Sequence, residues 1–268
     1  MKKYKFIGKT GANSGEFEHI ASGNLSTGNK LDRIYAIYPY DDDTSISNNG
    51  VISFLLPDNQ AYGETSFGRD ANTMVSVTES VDDTFLIFKN TCGYLKLKLY
   101  GDDITIGSIT VRGNNDEKIA GATKIVATYD DIPTVTMSDN ATSAITLNCG
   151  NGVTLNNYAQ NPTEFWVVIP ATTFSNGITI IVTDINGDTF EKSTNKEVVI
   201  ERNIIQPMAA IEVEVEGGTV TKPANNEIWY TSTDGKIVTP YKTNVFGATI
   251  ESHTYENGKG VITFDGDV

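Results

Sequence analysis

The stretch Thr84-Phe-Leu-Ile-Phe-Lys-Asn-Thr-Cys-Gly-Tyr-Leu-Lys-Leu-Lys-Leu-Tyr-Gly101 decides the fold of this chain. Between Leu95 and Leu99, three leucines alternate with Lys96 and Lys98. Because successive side chains of a β-strand point to opposite faces, this alternation places the leucines on one face and the ammonium groups on the other. We therefore expect the leucines to face a core and the lysines to face solvent, in an antiparallel sheet with one dry face.

The period of two recurs along the chain, and no helical periodicity lasts more than about two turns. The clearest repeats are Ile104–Ile106, Ile109–Val111, Ile125–Thr128, Val135–Met137 and Ile145–Leu147. Many Asn-Gly and Asp-Gly pairs separate these segments, as is typical of short strands joined by tight turns. The pattern predicts an all-β protein of two tandem antiparallel β-sandwiches followed by a small β tail.

The 268 residues exceed the usual size of one domain, and an apolar content of 39% is enough for packed cores. We place an N-terminal sandwich in residues 1–82, a second sandwich in residues 83–212, and a linker with a hairpin tail in residues 213–268. Residues 83–212 hold most of the alternating segments, so the first sandwich is predicted to be the less stable and an incomplete one.

Several turns and strand ends can be placed individually. Asn49-Gly50 is expected to turn the chain into the strand 51–56, which Pro57 ends by removing a hydrogen-bond donor. Phe165–Ile169 is a continuous apolar run, typical of a strand buried on both sides or at the centre of a sandwich. Asp184–Asp188 is predicted to close one hairpin, and Thr233-Asp-Gly235 to join strands 228–231 and 236–238 in another.

The net charge of the chain restricts which classes of partner it can bind. Lysine and arginine number 20 against 34 aspartates and glutamates, a net charge of −14, which argues against nucleic-acid binding and against anionic membranes. Met1–Ile7 resembles the basic start of a signal peptide, but no apolar stretch follows it, and no segment approaches the 18 residues of a membrane span. We expect any export signal to lie upstream of this sequence.

The two cysteines, Cys92 and Cys149, are too few for a disulfide framework. Both stand at the edges of strand-like segments. Their pattern favours buried, small hydrophobic residues over a bridged pair, although a bridge stays open because its geometry cannot be read from sequence.

Catalytic patterns are sparse. Gly8-Lys9-Thr10 lacks the upstream glycine of a phosphate-binding loop, because Lys3 occupies that position. His19 and His253 lie in different predicted domains and near no nucleophile turn, which favours loop histidines over a triad or a zinc site. We assign no catalytic, cofactor-binding or metal-binding residue and predict that the protein is not an enzyme.

Acidic pairs and tryptophans are the remaining candidates for chemistry. The acidic runs are Asp41–Asp43, Asp82-Asp83, Asp102-Asp103 and Asp130-Asp131, and they favour turns over glycosidase carboxylates. Asp184–Asp188 has the beginning of a calcium-loop spacing but no distal glutamate, so a plain hairpin is preferred. Trp166 is expected in a core. Trp229 is the better candidate for an exposed sugar-stacking platform, but a packing role under a repeat domain is preferred for it.

Three stretches carry a resemblance to a known family. Phe88-Lys-Asn-Thr-Cys-Gly-Tyr-Leu-Lys-Leu97, Ile109-Thr-Val-Arg-Gly113 and Glu201-Arg-Asn-Ile-Ile-Gln-Pro-Met208 resemble the fimbrillin-like surface proteins of Bacteroidetes. The resemblance covers about residues 4 to 212 and includes Tyr38-Pro39-Tyr40. It implies two transthyretin-like sandwiches, export, and an outer-membrane lipid anchor whose cysteine motif is not in this sequence. Residues 222–268 resemble the lead-in to the irregular leucine-rich repeats of such proteins.

The resemblance implies a structural or adhesive cell-surface protein, a stalk or adhesin module. Its partners would be other surface or fimbrial proteins, or host or glycan ligands. The alternative is a carbohydrate-binding module of a surface glycan-uptake system, which a glycan array with a Trp229→Ala variant would distinguish. The sequence names neither the ligand nor the polymeric state.

Overall fold

The computed structural model describes residues 2–9, 14–22, 31–214, 223–245, 247–256 and 259–267. Every helix-or-strand element within these ranges is a β-strand. The protein is therefore all-β, as the alternating pattern predicts. The chain divides into two compact units, residues 1–217 and residues 218–268, which we call unit 1 and unit 2.

Unit 1 is built from short strands that are paired almost entirely in antiparallel fashion. In chain order they are β1 (Lys2–Phe6), β2 (Phe17–Ser22), β3 (Tyr35–Tyr38), β4 (Ser45–Ile46), β5 (Val51–Leu56), β6 (Asn59–Ala61), β7 (Met74–Val77), β8 (Lys89–Asn90), β9 (Cys92–Tyr100), β10 (Thr105–Gly113), β11 (Gly121–Val126), β12 (Thr134–Met137), β13 (Ala144–Thr154), β14 (Thr163–Pro170), β15 (Thr172–Phe174), β16 (Ile178–Asp184), β17 (Thr189–Ser193), β18 (Val198–Ile200) and β19 (Ile205–Glu212). Two pairs are parallel, β6 with β13 and β9 with β19.

Core 1 is the larger of two hydrophobic cores in unit 1. Its buried side chains come mainly from a five-stranded sheet, β17-β16-β10-β13-β6, and a three-stranded sheet, β14-β9-β19. All of its fully buried members lie between Leu95 and Val213. Apolar side chains on every second residue of these strands leave water together, and this burial is the main stabilising contribution.

Core 2 lies against two other sheets, β12-β11-β5-β4 and β3-β7-β8. Ile52, Phe54 and Leu56 of β5 face it, as do Val75 and Val77 of β7. Strands β9 and β14 contribute to it as well, through Cys92, Tyr94 and Val168. The two sandwiches predicted from sequence therefore exist as two cores that share strands.

The shared strands explain two sequence patterns. Leu95, Leu97 and Leu99 have no solvent exposure and face core 1, which confirms their predicted placement. The apolar run 165–169 supplies both cores, because alternate residues of β14 point to opposite sides, and this confirms the prediction of a strand covered on both sides. Lys96 and Lys98 point away from core 1 but are half-buried, not fully solvated.

Strands from the two sides of residue 82, where the sequence predicts a domain boundary, pair with each other. Strand β5 pairs with β11 along its whole length, from Val51 with Val126 to Leu56 with Gly121. Core 2 also draws on residues from both sides of position 82. Alternation identifies a strand and its buried face, but it does not identify the partner strand. A boundary between two domains therefore cannot be read from alternation alone.

Three local predictions concern turns and strand ends in unit 1. The Asn49-Gly50 turn is confirmed, since the Gly50 N–H donates to the Ser47 carbonyl at 3.0 Å and φ of Gly50 is +76°. The hairpin of β16 and β17 is confirmed, with Gly187 at φ +93°. The predicted end of strand 51–56 at Pro57 is confirmed, because β5 runs from Val51 to Leu56.

Unit 2 is one four-stranded antiparallel sheet in the order β20-β23-β22-β21. Its strands are β20 (Glu227–Tyr230), β21 (Asn244–Val245), β22 (Ala248–Glu256) and β23 (Lys259–Phe264). The hairpin predicted around Thr233-Asp-Gly235 is wrong. A turn is present, with Gly235 at φ +70°, but β20 pairs with β23 and residues 236–238 form no strand.

Candidate functional site

A groove of about 400 Å³ opens on unit 1 beside the end of β5. One part of its wall is apolar and consists of Pro39, Phe54, Leu55, Leu56 and Pro57. The position of the groove follows from the alternation along β5. Phe54 and Leu56 face core 2, so Leu55 between them points to the other side and stays 48% exposed. Strand β4 pairs with β5 only at Ser53 and Ile52, so the groove begins where β4 has ended.

The rest of the wall is aromatic and acidic, formed by Tyr40, Asp41, Asp58 and Asp70. Asp70 accepts a hydrogen bond from the Tyr38 hydroxyl at 2.7 Å, and Asp41 accepts one from the Asp43 N–H at 2.7 Å. Asp70 also adopts φ +64°, a left-handed conformation that aspartate tolerates better than most residues. The groove thus carries three carboxylates and no lysine or arginine among its lining residues.

The pKa values of the two tyrosines at the groove, Tyr38 and Tyr40, are both raised. Burial first, and then the hydrogen bond to Asp70 and its charge, raise the pKa of Tyr38. The hydrogen bond to Asp42 raises the pKa of Tyr40 above its ordinary value, and both hydroxyls stay neutral at physiological pH. The Lys3 ammonium lies 4.5 Å from the centroid of the Tyr40 ring, in a cation–π contact.

Sequence reasoning found only part of this groove. Tyr40 stands in the Tyr38-Pro39-Tyr40 stretch of the resemblance, and Asp41 was interpreted as a turn residue. Asp58, Asp70 and Leu55 were missed, because they come from separate turns and from the exposed face of a strand. No spacing in the sequence connects them; only the pairing of β5 with its neighbours brings them together.

Two of the three stretches that carry the family resemblance, 88–97 and 201–208, meet in one junction at the start of β9. The Arg202 guanidinium donates to the Asn90 carbonyl at 3.0 Å, and the Asn203 N–H donates to the Cys92 carbonyl at 2.8 Å. Gly93 has no room for a side chain, because a Cβ there would collide with the carbonyl oxygen of Glu201. These contacts join the stretches 88–97 and 201–208 where the parallel strands β9 and β19 begin to pair.

The cysteines are both free and both buried, which confirms the preferred interpretation over a bridge. Cys92 contributes to core 2 and Cys149 to core 1. Burial raises the pKa of each thiol to about 11, so neither is a thiolate at neutral pH.

The predicted turn roles of two acidic runs are seen in their hydrogen bonds. Asp83 accepts from the Phe85 N–H at 2.9 Å, and Asp131 accepts from the Ile132 N–H at 2.7 Å. Such local bonds to the backbone are the reason that aspartate favours turns. Of the acidic runs, Asp41 lines the groove beside β5, together with Asp58 and Asp70.

The Asp184–Asp188 loop closes its hairpin with its own hydrogen bonds. The Asp184 carboxylate accepts from the Asn186 and Asp188 N–H groups at 2.8 and 2.9 Å. Burial opposes its ionisation, but these bonds outweigh burial and lower its pKa. Across the described ranges, no group of three or more His, Cys, Asp or Glu side chains is arranged to hold a metal ion.

The two histidines lie in different units of the chain. His19 lies on the exposed β1–β2 hairpin with its ring 5.2 Å from that of Tyr4. His253 belongs to unit 2, where its Nε2 is 2.6 Å from the Tyr230 hydroxyl.

The predicted core position of Trp166 is confirmed, but Trp229 is less exposed than a sugar-stacking platform requires. Trp166 packs against core 2, as expected, with the Lys96 ammonium 4.9 Å from its ring centroid. Trp229 is half-buried, its Nε1–H donates to Glu227 at 3.0 Å, and the Lys259 ammonium lies 2.8 Å from its ring centroid. A sugar could stack on that face of Trp229 only after Lys259 had moved, which weakens its case as a platform.

No helix in the described part of the chain has the length and apolar character needed to cross a membrane. No protein-family model matches this chain. No curated protein matches it either.

Among solved structures, the chain is similar to two candidate cell adhesion proteins of Bacteroides. The protein from Bacteroides uniformis is 14% identical, with a TM-score of 0.45 over 80% of this chain and 82% of that one. The protein from Bacteroides ovatus is 12% identical, with a TM-score of 0.42 over 75% of this chain and 73% of that one. Similarity at this level carries no argument about the function of this chain.

Proposed function

We propose that this chain is a non-enzymatic cell-surface protein with a structural or adhesive role, a stalk or adhesin module of the fimbrillin-like kind. It would be exported, held at the outer membrane by a lipid on an upstream segment, and would contact other surface or fimbrial proteins or host ligands. Residues 222–268 would lead into a further repeat module.

The observation that supports the proposal is the junction at the start of β9. Two of the stretches that resemble the fimbrillin-like proteins, 88–97 and 201–208, contact each other there through Gly93, Arg202 and Asn203, next to the parallel pairing of β9 with β19. Side chains used to lock a framework, and not to line a cleft, suit a protein that transmits or bears load. The resemblance therefore concerns architecture, as expected for a stalk.

The proposal is tested on intact source cells. Antibodies raised against the purified chain are expected to label unpermeabilised cells, and a deletion strain should lose both the label and part of its adherence to abiotic or host surfaces. Label that appears only after permeabilisation would contradict the surface location. If the chain is labelled at the surface but the deletion strain adheres as well as the source strain, the structural role would stand and the adhesive role would be contradicted.

A further inference from the structure

The groove beside Tyr40 combines an aromatic ring, separate carboxylates and an apolar wall. We propose that this groove binds the side chain of a lysine presented by a protein partner. The inference goes beyond the proposed surface role and does not depend on it, because it concerns binding chemistry that can be measured on the purified chain.

The carboxylates make the groove selective for a cation. Asp41, Asp58 and Asp70 line it, and no lining residue is basic. Arg69 reaches only Asp70, at 3.6 Å, and this pair is solvent-exposed on both sides, so it offsets little of the charge. Asp58 makes no side-chain hydrogen bond or ion pair with any of the described residues, and it is available to a ligand.

The aromatic ring supplies a second interaction with an ammonium group. Tyr40 is held in place because its hydroxyl donates to Asp42 at 2.5 Å. The Lys3 ammonium already lies 4.5 Å from the ring centroid. The ring therefore already attracts one lysine within the same molecule, and because Tyr40 lines the groove, a partner's lysine that enters the groove would contact the same ring.

The apolar wall and the arrangement of oxygens distinguish lysine from other cations. Pro39, Leu55 and Pro57 can cover a stem of four methylene groups, which a bare metal ion lacks. One oxygen of Asp70 already accepts from Tyr38 and one of Asp41 from the Asp43 N–H, whereas the Asp58 carboxylate is unengaged within the described residues. An ammonium group has three donors and needs no paired oxygens on one carboxylate, so it suits carboxylates that stand on separate turns.

The test is a nuclear magnetic resonance titration of the full chain at about 0.15 M salt, where distant charges are screened. The probe is the peptide acetyl-Gly-Ala-Lys-Ala-Gly-amide. Saturable shifts are expected at the amides of Tyr40, Leu55, Asp58 and Asp70. The same peptide with acetyl-lysine keeps the stem without the charge and should not bind. Equal binding of the acetylated or the arginine peptide, or binding of glucosamine alone, would overturn the proposal.

Matched variants separate the groove from the overall acidity of the protein. Tyr40→Leu and Asp58→Asn should each weaken binding about three-fold, as expected for loss of one cation–π or one exposed charge contact. Asp70→Asn should do the same while tolerating the left-handed backbone, since asparagine adopts it readily. Asp139→Asn and Tyr158→Leu, both exposed and outside the groove, should leave affinity unchanged. Equal losses in groove and control variants would refute the site.

Discussion

Gln60 connects two sheets with a single side chain. It is 3% exposed, its amide Nε2–H donates to the Val168 carbonyl at 2.8 Å, and its Oε1 accepts from the Val168 N–H at 2.9 Å. Its backbone meanwhile belongs to β6, which pairs with β13 of the other sheet of core 1. The side chain thus acts in place of a neighbouring strand on β14, whose described partner is β9 alone.

Gln60→Ala should lower the free energy of unfolding by about 1–3 kcal/mol, because it leaves the buried N–H and C=O of Val168 without partners. Urea denaturation followed by tryptophan fluorescence measures the change. Gln160→Ala removes an exposed glutamine and should change stability by less than about 0.5 kcal/mol. Equal effects of the two variants would show that water replaces the Gln60 amide at no cost.

Leu97 tests the placement of core 1. Leu97→Ala should cost about 2–5 kcal/mol, since the side chain is fully buried and its removal leaves a cavity. Leu55→Ala is the matched control: the same truncation on a side chain that is 48% exposed should cost far less. A loss below about 0.5 kcal/mol for Leu97→Ala would contradict its burial.

Among the elements, the hairpin of β16 and β17 shows how a loop with calcium-like spacing can be complete without a cation. The Asp184 oxygens that a cation would take already accept hydrogen bonds from Asn186 and Asp188. Adding EDTA should therefore leave the melting temperature nearly unchanged, as measured by differential scanning calorimetry. A fall of many degrees that calcium restores would show that the loop binds the ion in solution.

Strands β9 and β13 each bury one thiol, and this predicts a loss of stability in alkali. Burial raises the pKa of Cys92 and Cys149 from 9.0 to about 11. Below pH 9 both states hold the proton; above it the unfolded state ionises first, so stability falls as pH rises from 9 to 11. The loss should be about 2 kcal/mol per thiol.

Urea titrations at successive pH values measure this slope. The double variant Cys92→Ala and Cys149→Ala should show a shallower fall over the same window, while the tyrosines still titrate in both proteins. An unchanged slope would mean that the thiols are solvated in solution.

Sequence pattern predicted individual strands better than their partners. Leu95 to Leu99 and the run 165–169 were placed correctly because alternation records burial directly. The pairing of β20 with β23 was missed because a Thr233-Asp-Gly235 turn is also compatible with a local hairpin, and only the packing of the whole sheet decides between them. The groove could not be predicted for the same reason: it lies where strands distant in sequence meet.

At the scale of the whole molecule, the two cores predict how unit 1 opens. Every fully buried apolar member of core 1 lies between Leu95 and Val213, while Gln60 of β6 and Tyr62 pack at its edge from before position 82. Core 2 needs both sides of that position, because β5 pairs with β11. The hairpin β1–β2 exposes Tyr4, Phe6 and Phe17 by 43–48% and pairs with no other described strand.

Hydrogen exchange on the full chain should therefore resolve three classes of amide in unit 1. The β1–β2 hairpin should exchange fastest, because little apolar surface is buried there. Strands β5, β7 and β11 should exchange together at an intermediate rate, since breaking core 2 exposes all of them at once. Strands β9, β10, β13 and β14 should be slowest, because core 1 is larger and the last element to open.

The comparison of β5 with β11 decides between this order and a division of the chain at residue 82. If residues 1–82 formed one domain and residues 83–212 another, β5 would exchange with β1–β3 and β11 with β9 and β10. If core 2 is the cooperative unit, the amides of β5 and β11 share one opening free energy, because each strand supplies hydrogen bonds to the other. A fragment of residues 83–217 should then lose protection in β11 and β12, where partner strand β5 is missing, while β9 and β10, whose partner strands are all present, stay protected.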